Sequence, residues 1–232
     1  MGRRGLSRSV KRVPPSAQAI ERYLRLWEFK EAAADPSRDL PRLDAATIFG
    51  RELPLELEVG CGTGEFLCAL AAERPETGFV GVDVSTKSLY LAARQADELG
   101  LRNVFFFRAP IDACYPHLVE DTLGAIYVHF PDPFVRARGQ HKVLNPRFVA
   151  AMARAARVGG RLSVVSDKEP LFREALAIVE AADGWERTHE ERFLVGYEPP
   201  VKSRYQLKWE RLKLTALRFE FRRAKPAGGA AA

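Results

Sequence analysis

From Leu55 onward the chain alternates short apolar runs with longer stretches of helical spacing. The apolar runs predict strands and the stretches between most of them predict amphipathic helices. The seven predicted strands cover residues 55–59, 78–83, 103–108, 124–130, 161–166, 189–195 and 215–223. The predicted helices between them cover 64–73, 86–99, 144–157 and 169–182. Alternating strands and helices pair in parallel through right-handed crossovers, so we expect an open α/β sheet with helices on both faces.

The residues ahead of the first strand predict a different organisation. The segment 1–15 is basic and lacks apolar periodicity, which indicates a flexible arm. Ser16 is expected to cap a helix that continues to about Glu31, because apolar residues recur there at helical spacing. We therefore expect a basic arm at 1–15, a helical extension at 16–46, a main domain at 47–225 and a disordered tail at 226–232.

The composition limits the possible classes of protein. The 232 residues, of which 47% are hydrophobic and 28% charged, can bury one sizeable core. No apolar run reaches the roughly 18 residues of a membrane span, and the first residues lack a secretion signal, so we expect a cytoplasmic protein. Cys61, Cys68 and Cys114 are not spaced as metal ligands. We expect buried free thiols without metal or disulfides, and no obligate protein partner.

Positive charge is concentrated at the two ends of the chain. The net charge is +6, yet residues 1–12 hold five basic residues and no acidic one. Residues 202–225 hold nine basic residues against two acidic ones, which leaves the rest of the chain acidic. Basic ends on an acidic body suit a polyanionic partner. The alternative is a solvated tail followed by an ordinary charged helix and strand.

A glycine-rich turn follows the first strand of the main domain. Gly60, Gly62 and Gly64 have no side chains, so backbone N–H groups and the N-terminus of the next helix can approach a ligand. Asp83 ends the next strand, where a carboxylate can accept hydrogen bonds from ribose hydroxyls. Glu58 disfavours a pyrophosphate and favours a cofactor with cationic groups, such as S-adenosylmethionine. A simple tight turn is the alternative interpretation.

A proline-flanked aspartate follows the fourth predicted strand, in the segment Phe130–Phe134. Proline fixes its own φ and restricts the residue before it, so we expect Asp132 to be held in one extended geometry. This segment lies at the carboxyl edge of the predicted sheet, where open α/β folds place their chemistry. The basic residues that follow, beginning with Arg136, are suited to phosphate contact.

These motifs resemble two nested families. The glycine turn with Glu58 resembles motif I of class I S-adenosylmethionine-dependent methyltransferases. The segment Phe130–Phe134, its basic continuation and Ser166–Pro170 resemble the bacterial tRNA (guanine-N7)-methyltransferases, as does Phe49–Arg51. The resemblance covers about residues 47–223 and implies a Rossmann-like class I methyltransferase fold. Such a fold has a seven-stranded, mostly parallel sheet with an antiparallel last strand.

The resemblance also implies an activity and a set of site residues. It implies transfer of a methyl group from S-adenosylmethionine to N7 of a tRNA guanine, at position 46 of the variable loop, with S-adenosylhomocysteine as product. The implied cofactor-binding residues are Glu58, Gly60, Gly62, Gly64, Asp83, Ala109 and Asp132. The implied substrate-binding residues are Arg136, Asp167, Ser203, Arg204, Tyr205 and Gln206, and Asp132 is also the implied catalytic residue.

Three positions depart from the family pattern. Ala109 stands where the family has Asp or Asn, so adenine recognition there would use backbone groups or the nearby Asp112. Gln206 stands where the family has a glutamate; it can hydrogen-bond a guanine but cannot offset a positive charge. Phe134 replaces a tryptophan, which removes an N–H donor but keeps a stacking face.

The chemistry of the implied reaction needs alignment rather than a general base. Guanine N7 carries an in-plane lone pair and no proton, so it can attack the sulfonium methyl directly. We expect Asp132 to orient the base or the cofactor and to stabilise the positive charge that develops on the guanine. For Asp167 a helix cap is the alternative role, for Arg136 a solvated side chain, and for Tyr205 a core aromatic. A methyltransferase for another substrate and a non-catalytic RNA-binding module are the alternative functions.

Overall fold

The computed structural model describes residues 14–131, 142–196, 198, 206 and 215–224. Five predicted site residues lie outside the described residues: Asp132, Arg136, Ser203, Arg204 and Tyr205. The predicted tail at 226–232 and all but the last two residues of the predicted arm at 1–15 also lie outside them.

Nine strands of the described residues form a single sheet. They are β1 (Leu24–Leu26), β2 (Leu55–Val59), β3 (Gly78–Asp83), β4 (Val104–Arg108), β5 (Leu123–His129), β6 (Ala156–Ser166), β7 (Trp185–Arg187), β8 (Leu194–Val195) and β9 (Leu217–Arg223). The order across the sheet is β1-β4-β3-β2-β5-β6-β9-β7, and β8 also pairs with β9. Neighbours from β1 to β6 are parallel, whereas β9 runs antiparallel to β6. The predicted mostly parallel sheet with an antiparallel last strand is confirmed.

Helices cover both faces of the sheet. They are α1 (Ala17–Tyr23), α2 (Phe29–Ala34), α3 (Ala45–Phe49), α4 (Glu65–Glu73), α5 (Thr86–Glu98), α6 (Ile111–Cys114), α7 (Pro146–Ala155) and α8 (Glu169–Glu180), and 3-10 turns lie at Pro36–Arg38 and Tyr115–His117. Buried residues of α1, α4 and α5 pack on one face, in a cluster that includes Phe79 and Phe106. Buried residues of α7 and α8 pack on the other face, with Ile126 and Val164. Burial of these apolar faces is the main favourable contribution to the fold.

The prediction of a single helix from Ser16 to about Glu31 is wrong, because the helix is interrupted: α1 ends at Tyr23 and α2 begins separately at Phe29. Ser16 does cap α1, since its Oγ accepts a hydrogen bond from the Ala19 N–H at 3.1 Å. After Tyr23 the chain becomes extended, and β1 pairs in parallel with β4. The Tyr23 hydroxyl also donates to the Leu101 carbonyl at 2.9 Å. The open edge of β4 offers hydrogen-bond partners that helical spacing cannot foresee, and this tertiary contact overrides the local preference.

The strand predicted at 189–195 is reduced to β8 at its end, and a further strand, β7, lies before the predicted range. β7 pairs with residues 221–223 of β9, whereas β8 pairs with its residues 217 and 218. Together with β1, β7 raises the number of strands from the predicted seven to nine. The remaining predicted strands are confirmed, although β6 begins at Ala156 instead of residue 161.

One face of β2 carries two buried carboxylates, Glu56 and Glu58. Glu56 accepts two hydrogen bonds from the Arg74 guanidinium, at 2.8 and 2.9 Å, and one from the Tyr127 hydroxyl at 2.8 Å. Arg74 follows the last residue of α4, so this ion pair joins that end of the helix to the sheet. The opposite end of α4 begins at the glycine-rich turn, whose position therefore depends on the same helix.

Candidate active site

The glycine-rich turn lies at the carboxyl end of β2, in the centre of the sheet. β2 has β3 on one side and β5 on the other, and this reversal of strand order is where open α/β sheets bind ligands. Gly60, Gly62 and Gly64 all have positive φ, at 80°, 55° and 76°. At Gly64 a Cβ would also come within 2.6 Å of the Ala92 Cβ. Glycine is thus required here by conformation and, at Gly64, by the close approach of α5.

Asp83 is held beside this turn by backbone donors. Its Oδ2 accepts a hydrogen bond from the Gly62 N–H at 2.9 Å, and its Oδ1 accepts one from the Ser85 N–H at 2.7 Å. Each carboxylate oxygen can accept a further hydrogen bond. The geometry therefore orients Asp83 and leaves it able to accept bonds from vicinal hydroxyls, as a ribose would offer.

Glu58 is the most perturbed carboxyl of this site. It lies two residues before the first glycine of the turn and is 4% exposed, and its Oε2 has no hydrogen-bond partner among the described residues. Burial, together with the negative charges of Asp83 and Glu65, raises the pKa of Glu58 to about 8. A cationic ligand would reverse this effect, because it favours the ionised carboxylate. The site therefore fits a cofactor with a positively charged group.

Sequence reasoning missed two residues at this edge. Glu65, the first residue of α4, contributes a third carboxylate and accepts a hydrogen bond from the Thr63 hydroxyl at 2.6 Å. Val84 directly follows Asp83 and is 66% exposed, which is unusual for an apolar side chain. Both residues could have been found from the sequence, because Glu65 directly follows Gly64 and Val84 directly follows Asp83.

Ala109 follows β4 at the same edge of the sheet and is buried. Its N–H already donates to the Asp83 carbonyl at 3.1 Å, and the next residue, Pro110, has no N–H. Backbone donors from these two residues are thus not open to an adenine. The remaining route that the sequence suggested is the side chain of Asp112, which is exposed.

The substrate side of the site is described at three positions. Phe130 follows β5 with φ at 50°, in the left-handed region, and its N–H donates to the Val165 carbonyl at 2.7 Å. Asp167 follows β6 with its side chain 3% exposed, and the Lys168 ammonium lies 3.5 Å from its Oδ2. The cap position of α8 is occupied by Lys168, so the structure does not support a capping role for Asp167. Gln206 is buried.

The surroundings of His129 and of the three cysteines indicate structural roles. Burial lowers the pKa of His129 to about 3, and its ring packs edge-on against Phe66 at a centroid distance of 4.9 Å. The three cysteines are buried, as expected, and carry free thiols. Within the described ranges, no cluster of three or more His, Cys, Asp or Glu side chains could hold a metal ion. No helix in the same ranges is long and apolar enough to cross a membrane.

Comparisons with known proteins identify the class to which this fold belongs. The family model described as "Putative methyltransferase" matches residues 52–219. A solved structure described as an antibiotic-related methyltransferase superposes with a TM-score of 0.59 at 18% identity, over 78% of this chain and 94% of that one. The fold is that of a class I, Rossmann-like methyltransferase.

Curated relatives narrow the class to one family. A tRNA (guanine-N7)-methyltransferase of Rubrobacter xylanophilus is 45% identical over 95% of this chain and 98% of its own length. A protein of the same name from Chloroherpeton thalassium is 33% identical over 85% of this chain and 87% of its own length. The chain belongs to the bacterial tRNA (guanine-N7)-methyltransferase family.

Proposed function

We propose that this chain transfers the methyl group of S-adenosylmethionine to N7 of a guanine in tRNA, at position 46 of the variable loop. The observation that carries the proposal is the similarity to the Rubrobacter xylanophilus relative, which extends over 98% of that protein. A similarity of this extent includes both the cofactor side and the substrate side of the sheet. We further propose that the protein acts in the cytoplasm on tRNA and that residues 47–225 form its methyltransferase domain.

The described residues fit the cofactor of this reaction. S-adenosylmethionine supplies an electrophilic methyl group on a sulfonium and carries an ammonium, a ribose and an adenine. We assign the cationic part to Glu58, which is buried and has an oxygen with no hydrogen-bond partner in the described part of the chain, and the ribose to Asp83. The turn at Gly60, Gly62 and Gly64 brings backbone atoms close to the ligand. The exposed side chain of Val84 provides an apolar contact for the adenine.

The substrate side is assigned from the family resemblance. Arg136, Ser203, Arg204 and Tyr205 are proposed to contact RNA, and Asp167 and Gln206 to contact the guanine. Asp167 is suited to this role because it follows β6 at the carboxyl edge, where the glycine turn also lies. The Lys168 ammonium lies 3.5 Å from the Asp167 Oδ2, and the carboxylate oxygens of an aspartate can accept hydrogen bonds from guanine N–H groups.

The residues of the chain align and stabilise the reactants without removing a proton. Guanine N7 has no proton to lose, so the chain has to hold the lone pair in line with the methyl group. We propose that Asp132 orients the base and offsets the positive charge that develops on it. Because burial lowers the pKa of His129 to about 3, this histidine is a poor proton acceptor near neutral pH, and the reaction proposed here does not call on it as a general base.

The decisive experiment is methyl transfer to an unmodified tRNA transcript with labelled S-adenosylmethionine, followed by mapping of N7-methylguanosine. We expect one product at guanine 46 and none in a transcript with adenine at that position. Product at another guanine would refute the assigned position. Salt-dependent tRNA binding without methyl transfer would refute the proposed enzymatic activity and favour a non-catalytic RNA-binding module. Transfer to a small molecule or protein but not to tRNA would refute the substrate class.

The role of Asp132 is tested by the Asp132→Asn variant. We expect methyl transfer to slow roughly 100-fold while the affinity for S-adenosylmethionine is retained. The matched control is Asp97→Asn, which changes an exposed aspartate near the end of α5 and should leave the rate unchanged. Near-normal turnover of Asp132→Asn would show that this carboxylate is not needed.

A further inference from the structure

Two non-glycine residues of the described chain have a positive φ, and they flank the same strand. Asp121 has φ at 55° and lies in the turn before β5, whereas Phe130 has φ at 50° and immediately follows β5. Aspartate adopts this left-handed conformation relatively often, since its short polar side chain can bond locally. A bulky aromatic residue rarely adopts it, and such outliers concentrate at functional sites. Phe130 therefore requires an explanation that Asp121 does not.

The surroundings of Phe130 show how this conformation is maintained. Its N–H donates to the Val165 carbonyl at 2.7 Å, which continues the pairing of β5 with β6 by one residue. Its ring packs against Val165 and Ala216, both of which are fully buried, in a small cluster separate from the two larger cores. The following residue is Pro131, whose ring favours an extended backbone with negative φ at the residue before it, so it adds to the cost of this conformation. The hydrogen bond and the packed ring thus hold Phe130 in a conformation that its own side chain and the proline both disfavour.

The position of this cluster connects it to the substrate side of the site. Val165 lies two residues before Asp167, and Phe130 lies two residues before Asp132. Ala216 immediately precedes β9 and its carbonyl accepts a hydrogen bond from the Gly196 N–H at 2.7 Å. Phe130 and Val165 thus each lie two residues before a proposed site residue, and both pack with Ala216 at one apolar contact.

We propose that Phe130 is a positioning residue for methyl transfer: its ring, packed against Val165 and Ala216, sets the direction in which the chain leaves β5 toward Asp132. The unfavourable backbone conformation is kept because it fixes the backbone at the point where the chain leaves β5. Phe130 itself need not contact the cofactor or the guanine. This inference rests on the proposed methyltransferase activity.

The test compares Phe130→Ala and Phe130→Gly with the conservative Phe130→Leu. Alanine and glycine remove the packed ring, and glycine also removes the unfavourable φ, whereas leucine keeps an apolar side chain of similar size. The measured quantities are the single-turnover rate of methyl transfer at saturating tRNA, the affinity and stoichiometry of S-adenosylmethionine binding, and the melting temperature. The stoichiometry counts the folded, cofactor-competent protein, so a loss of fold is separated from a loss of rate.

We expect Phe130→Ala and Phe130→Gly to transfer methyl roughly 100-fold more slowly, with cofactor affinity unchanged, because a small misplacement of aligned groups has an effect of this size. Phe130→Leu should retain most of the rate. Asp121→Gly, the matched control, relieves the same backbone conformation at the other end of β5 and should leave the rate unchanged.

Two results would overturn the inference. One is an alanine variant that binds cofactor at full stoichiometry and transfers methyl at the normal rate; the alanine variant decides if the glycine variant does not fold. The other is a leucine variant as slow as the alanine variant, since packing would then not set the direction of the chain. If the unaltered protein binds S-adenosylmethionine but methylates no tRNA, the proposed function fails instead, and this outcome is visible before any variant is made.

Discussion

Glu56 and Glu58 lie on the same strand, face the same side of the sheet and are both buried, yet their surroundings differ. Every hydrogen bond described for Glu56 comes from within the protein, two from Arg74 and one from Tyr127. Glu58 has an oxygen without a partner in the described structure and has two other carboxylates nearby. A paired buried carboxylate stabilises architecture, whereas one left open beside like charges is suited to a ligand. Glu56 and Glu58 are only two residues apart on β2, yet Glu56 has a structural role and Glu58 a proposed functional one.

The largest expected effect is on the structural side of this comparison. Arg74→Met would leave the buried Glu56 carboxylate without its cation; because Arg74 itself is partly exposed, we expect the lower end of the cost of breaking a buried pair, about 3 kcal/mol. We expect the free energy of unfolding, measured by urea denaturation, to fall by about this amount. The affinity for S-adenosylmethionine of the folded fraction should be unchanged, since Arg74 lies at the end of α4 away from the glycine turn.

The control for this variant is the double substitution Arg74→Met with Glu56→Gln. A neutral amide no longer needs the cation, so the double variant should recover part of the lost stability. If both variants were equally destabilised, the loss would come from packing of the Arg74 side chain on the Phe79 ring, which lies 4.8 Å from the guanidinium. The ion pair would then not be the stabilising interaction.

The next effect is a dependence of stability on pH that arises from Glu58. Its pKa is about 8 in the folded protein, against 4.5 for the ordinary side chain, so between these values the folded protein holds a proton that the unfolded chain has lost. The free energy of unfolding should therefore fall as pH rises, by about 2.5 kcal/mol between pH 6 and pH 8. Denaturation of the cofactor-free protein at several pH values measures this slope. In Glu58→Gln this fall in the free energy of unfolding between pH 6 and pH 8 should be absent. An identical pH dependence in both proteins would contradict the raised pKa of Glu58.

The third expected effect is on cofactor affinity. In Glu58→Gln the amide cannot attract a sulfonium or ammonium as a carboxylate does, and loss of a charged hydrogen bond weakens binding by about 2 kcal/mol, or roughly thirtyfold. Calorimetric titration with S-adenosylmethionine measures this change, and the variant should remain at least as stable as the unaltered protein above pH 8. Tight binding by Glu58→Gln together with weak binding by Arg74→Met would reverse the assignment of the two acids.

The sequence predicted those parts of the molecule that depend on local pattern. β2 and β3 have the predicted bounds, because β2 alternates apolar residues with two glutamates, β3 is a mostly apolar run, and turn signals bound both. The positive φ of Gly60 and its neighbours follows from the tight turn that the glycines predicted. Three roles are proposed for the cofactor side of the site: the glycine turn, the ribose acceptor and the partner of the cation. All three rest on residues within one strand–turn–helix unit and the next strand.

What the sequence did not predict depends on contacts between distant segments. β1 forms only because β4 presents an open edge, although the residues themselves have helical spacing. The isolation of Glu58 cannot be distinguished from the pairing of Glu56 by inspection, because Arg74 and Tyr127 reach Glu56 from other elements. The left-handed conformation of Phe130 is likewise hidden in the sequence, since its cause is packing against Val165 and Ala216.

The smallest expected effect refines the structural side of the comparison. Tyr127→Phe removes one of the three hydrogen bonds to Glu56 but leaves both from Arg74, so the carboxylate keeps its cation. We expect a loss of about 1 kcal/mol in the free energy of unfolding, as for a single hydrogen bond, and no change in cofactor affinity. The ring of Tyr127 also packs edge-on against Phe66, at a centroid distance of 5.1 Å, and phenylalanine preserves this contact. A change in cofactor affinity on loss of the hydroxyl alone would mean that the Glu56 network adjusts the glycine turn through α4, and the two acids would then act as one unit.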